Sequence, residues 1–251
     1  MKSLLRNLVV APALALCLLL PPTLVLANEE AVLDSAPINL KDQASLQRGA
    51  KSFVNYCLNC HNASFMRYSH LTAIGLTEDQ IKANLMFTTD KIGDTMISAL
   101  DPKDAKEWFG GLPPDLTLVA RVRGSDWLYT FLRSFHRDDA APTGWNNTVF
   151  KNVGMPNVLH DLQGTQVLQQ VGEKDEHGKK VPVLKLAVDR AGTMNQMEYD
   201  LFVKDLVNYL TYMGEPARPA RTQLGVIVLL FLVIAFFATL WLKNEYWKDV
   251  K

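Results

Sequence analysis

Two continuous apolar runs and two amphipathic stripes set the plan of this 251-residue chain. The first run, Leu8–Leu20, follows Lys2 and Arg6 and ends at Pro21-Pro22. A charged start, a short apolar segment and the small residue Ala27 in Val25-Leu26-Ala27 are the parts of a secretory signal, predicted to occupy 1–27. The second run, Leu224–Leu242, is 19 residues long and holds no charge. At 1.5 Å per residue it is long enough for about 30 Å of hydrocarbon. It is apolar all round, unlike the face of a core helix. Trp241, Tyr246 and Trp247 stand where an interfacial belt would lie, with Arg218 and Arg221 before the run and Lys243, Lys248 and Lys251 after it. The pattern predicts a leader, an exported body at 28–217 and a C-terminal anchor at 218–251 that spans at about 224–242.

Within the body, Leu46, Ala50 and Phe53 recur at four and three residues, which predicts a helix over about Gln43–Tyr56. Tyr199, Phe202, Val203, Leu206, Tyr209 and Leu210 make a stripe at helical period and predict a second helix over Met194–Met213. Thr193 and Gln196 read as its capping box, and Gly214 and Pro216 as its stop. Between the helices, Thr165–Val171 and Val181–Val188 are rich in Val and Leu, and the charged Glu173–Lys180 separates them, so they read as a hairpin. His177 falls in its turn.

Composition adds one asymmetry. The chain has 26 basic and 26 acidic residues, yet 28–217 holds 19 basic against 24 acidic. An acidic body of this kind steers basic partners through its long-range field and leads us to expect no nucleic-acid partner. Of the three cysteines, Cys17 lies in the leader, so the body holds only Cys57 and Cys60.

Those two stand in Cys57-Leu58-Asn59-Cys60-His61, a C-x-x-C-H run and the attachment signature of a c-type haem. Two thiols a helical turn apart reach the two vinyl groups of one haem, and His61 then lies beneath the iron as proximal ligand. A structural zinc site needs a second ligand pair, and the chain has no other Cys pair. A thioredoxin-type dithiol needs a βαβ setting that the flanking sequence lacks. Two helices bracketing a haem turn are the layout of a c-type cytochrome. The fold expected is mainly α: a cytochrome c-like haem domain with insertions, a small β-hairpin and one C-terminal transmembrane helix.

For the second axial position the residues leave several candidates. Met66, Met86, Met96, Met155, Met194, Met197 and Met213 compete, with His70, His136 and His160. Met155 stands out because Gly154 and Pro156 break regular structure on either side, so an extended loop can present its thioether inward. Met194 and Met197 fall on the predicted helix, where core packing is the usual role.

Together these residues resemble the cytochrome c1 family, the haem subunit of ubiquinol:cytochrome c reductase (the bc1 complex), in a bacterial form. The resemblance rests on Cys57–His61, the anchor, Gly111-Leu112-Pro113-Pro114-Asp115-Leu116 with the trailing Arg121 and Arg123, and Val153-Gly154-Met155-Pro156. It implies one haem c held by Cys57 and Cys60 and ligated by His61 and Met155. It implies that Arg123 pairs with a haem propionate, with Arg121 nearby, and that Pro114 packs near the haem. Where the family often has Tyr, this chain has Trp127, which lacks a hydroxyl. The implied role is electron transfer without substrate chemistry of its own. The electron comes from a Rieske iron–sulfur subunit and passes to a periplasmic cytochrome c, in a dimeric inner-membrane complex with cytochrome b. A free-standing anchored cytochrome c feeding a terminal oxidase shares every feature except these partners. A haem enzyme or gas sensor would instead keep one axial position open.

Overall fold

The computed structural model describes residues 32–174 and 180–249. The predicted leader at 1–27 and His177 in the hairpin turn lie outside the described residues.

Asp42 caps the first helix, α1 (Gln43–Ser52), by accepting a hydrogen bond from the Ser45 N–H at 3.0 Å. The predicted helix does not run on as regular α to Tyr56. It widens at Phe53–Cys57 into a π-helical turn, closed by Leu58 N–H donating to the Phe53 carbonyl at 3.0 Å. Such widenings often sit at functional sites because they re-aim the residues that follow. There follow β1 (Ala63–Arg67), a 3₁₀ turn (Tyr68–Ile74), α2 (Glu78–Asn84), β2 (Thr95–Met96) and α3 (Pro102–Phe109). After these come α4 (Val119–Arg123), α5 (Ser125–Arg133), β3 (Phe135–Arg137), β4 (Trp145–Asn147) and α6 (His160–Gln163). The chain closes with β5 (Gly164–Lys174), β6 (Lys180–Ala191), α7 (Gln196–Gly214) and α8 (Arg218–Trp247).

The predicted hairpin is present and longer than its apolar core. β5 and β6 pair antiparallel from Gly164↔Ala191 to Lys174↔Lys180. Its root is pinned by the Gln166 amide, which donates to the Arg133 and Phe135 carbonyls at 2.9 Å each. Two further antiparallel pairs, β1–β2 and β3–β4, are each too short to leave an alternating pattern in the sequence.

α7 is the central helix. Tyr199, Val203, Leu206, Tyr209 and Leu210 are all buried, as the stripe predicts. Its start differs from the predicted one. Asn195 is the cap, with Glu198 completing the box, because the Thr193 N–H and hydroxyl both donate to the Asp161 carbonyl and hold Thr193 to the preceding turn. Met197 consequently points outward and is 74% exposed, so it does not pack in the core.

α1 packs on α7 more extensively than any other two helices of the described residues pack together. Apolar burial drives the pairing, and a polar seam fixes its register. The nearly buried Asp205 carboxylate accepts from the Ser45 hydroxyl and from Arg48 Nε, each at 2.6 Å. The crossing is close enough to demand glycine: a Cβ on Gly49 would lie 2.1 Å from the Asp205 carbonyl oxygen and 2.6 Å from Tyr209 Cβ. Gly49→Ala is therefore expected to destabilise the body by about 2 kcal/mol or more. Its thermal midpoint should fall by roughly 4–8 °C, and an unchanged midpoint would mean that the helices separate at no cost.

α8 carries the apolar run. Its 30 residues include an 18-residue window of mean hydropathy 2.8, none of it buried. The elbow into it is Glu215, whose carboxylate lies 2.6 Å from Arg221 and 3.9 Å from Arg121.

Candidate haem site

The π-helical turn delivers the chain to Cys57. Its carbonyl accepts from the N–H groups of Cys60, at 3.1 Å, and His61, at 2.8 Å, closing Cys57–His61 into one tight turn. Both thiols are free and partly buried. Burial, with the neighbouring Cys60 adding to it, pushes the Cys57 thiol up to about 12; burial also raises Cys60. Burial thus favours the neutral thiol at both sulfurs.

His61 Nδ1 lies 2.8 Å from the Pro114 carbonyl oxygen. A carbonyl only accepts, so Nδ1 carries the proton and the Nε2 lone pair is left for a ligand. Burial lowers the His61 pKa, against the Pro114 hydrogen bond and the Asp115 charge, so the ring is neutral at physiological pH. A tautomer set by a backbone acceptor, two unionised thiols in the same turn and a free imidazole nitrogen suit a covalently attached haem.

The Pro113–Thr117 segment runs along this turn like a splint. Leu116 N–H donates to the Asn62 carbonyl at 2.8 Å. Asp115 accepts from Ser64 N–H and Thr117 N–H, both at 2.8 Å. Asn62 Oδ1 accepts from Ser98 N–H at 2.8 Å, and the Ser98 hydroxyl donates to the Asn59 carbonyl at 2.7 Å. The resemblance placed Pro114 near the haem as a packing group; the structure gives its carbonyl the task of orienting His61. Asp115, Asn62 and Ser98 are positioning residues that sequence reasoning missed. The bond from Thr117 N–H to Asp115 two residues back is an Asx turn, a signal legible in Asp-Leu-Thr.

Burial opposes ionisation of Asp115, but the hydrogen bonds from Thr117 and Ser64 outweigh it and hold the carboxyl below its usual range. A depressed folded pKa stabilises the body above the unfolded value, near 4, and that contribution is lost as pH falls through the folded value. The melting midpoint should therefore drop below about pH 4, and Asp115→Asn should flatten that part of the profile. Identical acid limbs in the two proteins would rule this out.

Met155 is partly buried and packs against the core from its loop. Met66, Met96 and Met213 are sealed inside the body, and the Met96 sulfur accepts from the Tyr209 hydroxyl at 3.7 Å. Met86 and Met194 are partly buried. His70 is exposed and His136 buried; His160 sits 2.9 Å from the Asn157 carbonyl and 3.2 Å from Asp161.

Arg121 and Arg123 part company. Positions two apart on a helix do not share a face. Arg121 turns to Glu215 at the elbow. Arg123 lies 5.2 Å from the Trp127 ring centre and 5.7 Å from that of Phe150, with no carboxylate partner among the described residues. Trp127 is itself stacked on Phe131 at 4.8 Å, so its ring serves as a shelf for a cation.

A profile of the Cytochrome C1 family matches residues 34–250. The chain belongs to the cytochrome c1 family. Its cytochrome c1 relatives include a protein of Allochromatium vinosum, 48% identical over 240 residues, which cover 94% of this chain and 98% of that one. Another, from Rhodospirillum rubrum, is 29% identical over 237 residues, 84% of this chain and 83% of its own. A Nitrosomonas europaea protein named ammonia monooxygenase gamma subunit is 50% identical over 238 residues, 94% of this chain and 97% of its own. As a cytochrome c1, the chain is an electron-transfer haem subunit of a bc1 complex, and its apolar helix α8 is the candidate membrane anchor.

Proposed function

We propose that this cytochrome c1 holds one haem c and relays single electrons from a Rieske iron–sulfur subunit to a periplasmic cytochrome c. The observation that carries the reading is the Cys57–His61 turn with His61 Nδ1 committed to the Pro114 carbonyl and Nε2 free. When bound, the haem supplies an iron that cycles between ferric and ferrous states.

The chain's own residues do the rest. Cys57 and Cys60 would hold the haem covalently, each through one thioether to a former vinyl group. His61 Nε2 and the Met155 thioether would both ligate the haem iron, and an iron with two protein ligands suits electron transfer over oxygen chemistry. Arg123, with no carboxylate partner among the described residues, would pair with a propionate, and a guanidinium stays charged there. Arg121 serves the elbow. Residues 1–27 act as an export signal, so the body at 28–217 stands on the periplasmic side of the bacterial inner membrane. α8 crosses once and the C-terminus is cytoplasmic. The acidic body attracts a basic cytochrome c, an encounter that salt weakens. Cytochrome b and the Rieske protein are the membrane partners, in a dimeric complex.

Isolation of the solubilised complex tests the reading. Co-purification with a cytochrome b and a Rieske protein, and haem reduction on adding ubiquinol, are expected. Purification alone would support the free-standing cytochrome instead. Purification with the subunits of a monooxygenase would support a role like that in the name of the Nitrosomonas relative.

A further inference from the structure

The loop that carries Met155 is held mainly by side chains. Three of its N–H groups, those of Val149, Phe150 and Asn152, donate to the side chains of just two residues, Asn146 and Asn147 on β4. Asn147 is 1% exposed. Its amide donates to the Phe131 carbonyl at 2.8 Å, and its Oδ1 accepts from Val149 and Phe150 at 2.9 and 3.1 Å. Asn146 Oδ1 accepts from Asn147 N–H at 2.9 Å and from Asn152 N–H at 2.8 Å, while its amide donates to Asp138 at 2.8 Å. Asn152, three residues before Met155, has φ of 59°, the only non-glycine positive φ among the described residues. Asn is one of the few L-residues that visit left-handed backbone, and the bond from Asn146 fixes Asn152 in it. The same pair sets Phe150, whose ring lies 6.3 Å from Trp127 and flanks Arg123. Two amides therefore scaffold both the thioether and the aromatic shelf beneath the arginine.

We infer that Asn146 and Asn147 are positioning residues for the second axial ligand, and that they limit how often Met155 leaves the iron. The inference rests on the reading of Met155 as that ligand. Neither amide touches the haem; each acts through the loop. A loop held mainly by hydrogen bonds to side chains opens locally when one of them is lost. Losing the acceptor for a backbone N–H costs about 1–1.5 kcal/mol, which corresponds to roughly a tenfold rise in the open population.

Carbon monoxide binding to the ferrous, detergent-solubilised, full-length holoprotein reads that population directly, and the thioether-to-iron charge-transfer band reads it in the ferric state. Asn146→Ala is expected to bind carbon monoxide about tenfold faster and to lose the band at lower pH, with haem still attached. Asn152→Ala should act in the same direction, while Asn152→Gly, which accepts the positive φ, should match the unmodified protein. This second pair keeps the test open if Asn146→Ala fails to assemble. Carbon monoxide kinetics and a ferric band identical to those of the unmodified protein in Asn146→Ala and Asn152→Ala would overturn the inference. Met155→Leu separates the two claims. If it opens the site and the asparagine variants do not, the scaffold inference alone fails. If it too changes nothing, Met155 is not the ligand, and the inference falls with that reading.

Discussion

Met155→Leu leaves the haem attached but lowers its reduction potential, on the order of 100 mV or more, and lets the ferrous form bind carbon monoxide. A thioether favours ferrous iron, so removing it stabilises the ferric state relative to the ferrous one. A one-electron couple moves 59 mV per tenfold change in the equilibrium, so the expected shift is about fiftyfold or more. Leucine is close to methionine in volume and apolar, so the loop keeps its packing and the effect is confined to ligation. Val153 stays buried and the asparagine scaffold is untouched. Redox titration and carbon monoxide difference spectra check the result. An unaltered potential together with an unaltered spectrum would remove Met155 from the site and return the choice to Met86, Met194 or a histidine.

Cys57→Ser combined with Cys60→Ser abolishes covalent attachment altogether. A hydroxyl does not add to a vinyl group in place of the thiol, and the one other cysteine, Cys17, lies in the expected leader. His61 remains oriented by Pro114, so a non-covalent haem still finds one axial ligand but is held only by ligation and apolar contact. Acid–acetone extraction should then release essentially all the pigment, against essentially none from the unmodified protein, and a haem stain after denaturing electrophoresis should be blank. Either single variant should retain one thioether, with weaker staining. Haem that resists extraction from the double variant would exclude attachment through these cysteines.

Much of this fold is legible in the sequence because burial imposes periodicity. The stripe on α7 announces itself since five of its six apolar positions are buried. The hairpin is visible because its strands are long, whereas β1–β2 and β3–β4 leave too few residues for an alternation to register. The capping box of α7 is misplaced by two residues because Thr193 and Asn195 are both good caps. Only the tertiary bond from Thr193 to Asp161 decides between them.

The anchor, the acidic body and the Cys57–His61 chemistry are determined by the sequence itself. Each depends on local composition or on spacing within a single turn, and these are the same in any conformation of the chain. The family likeness rests on similarly local motifs, Pro113–Leu116 and Val153–Pro156. What only tertiary structure decided is which distant groups meet. Pro114 reaches His61 across 53 residues through a carbonyl that every residue type possesses, so no side-chain pattern could announce it. Arg121 and Arg123 look equivalent in sequence. Helix geometry sends one to Glu215 at the membrane elbow and the other to an aromatic shelf. Folding buries Asn147 and turns both it and Asn146 toward the loop that bears Met155. The buried bond from the Asn147 amide to the Phe131 carbonyl gains strength from that burial, which the sequence does not encode at any one position.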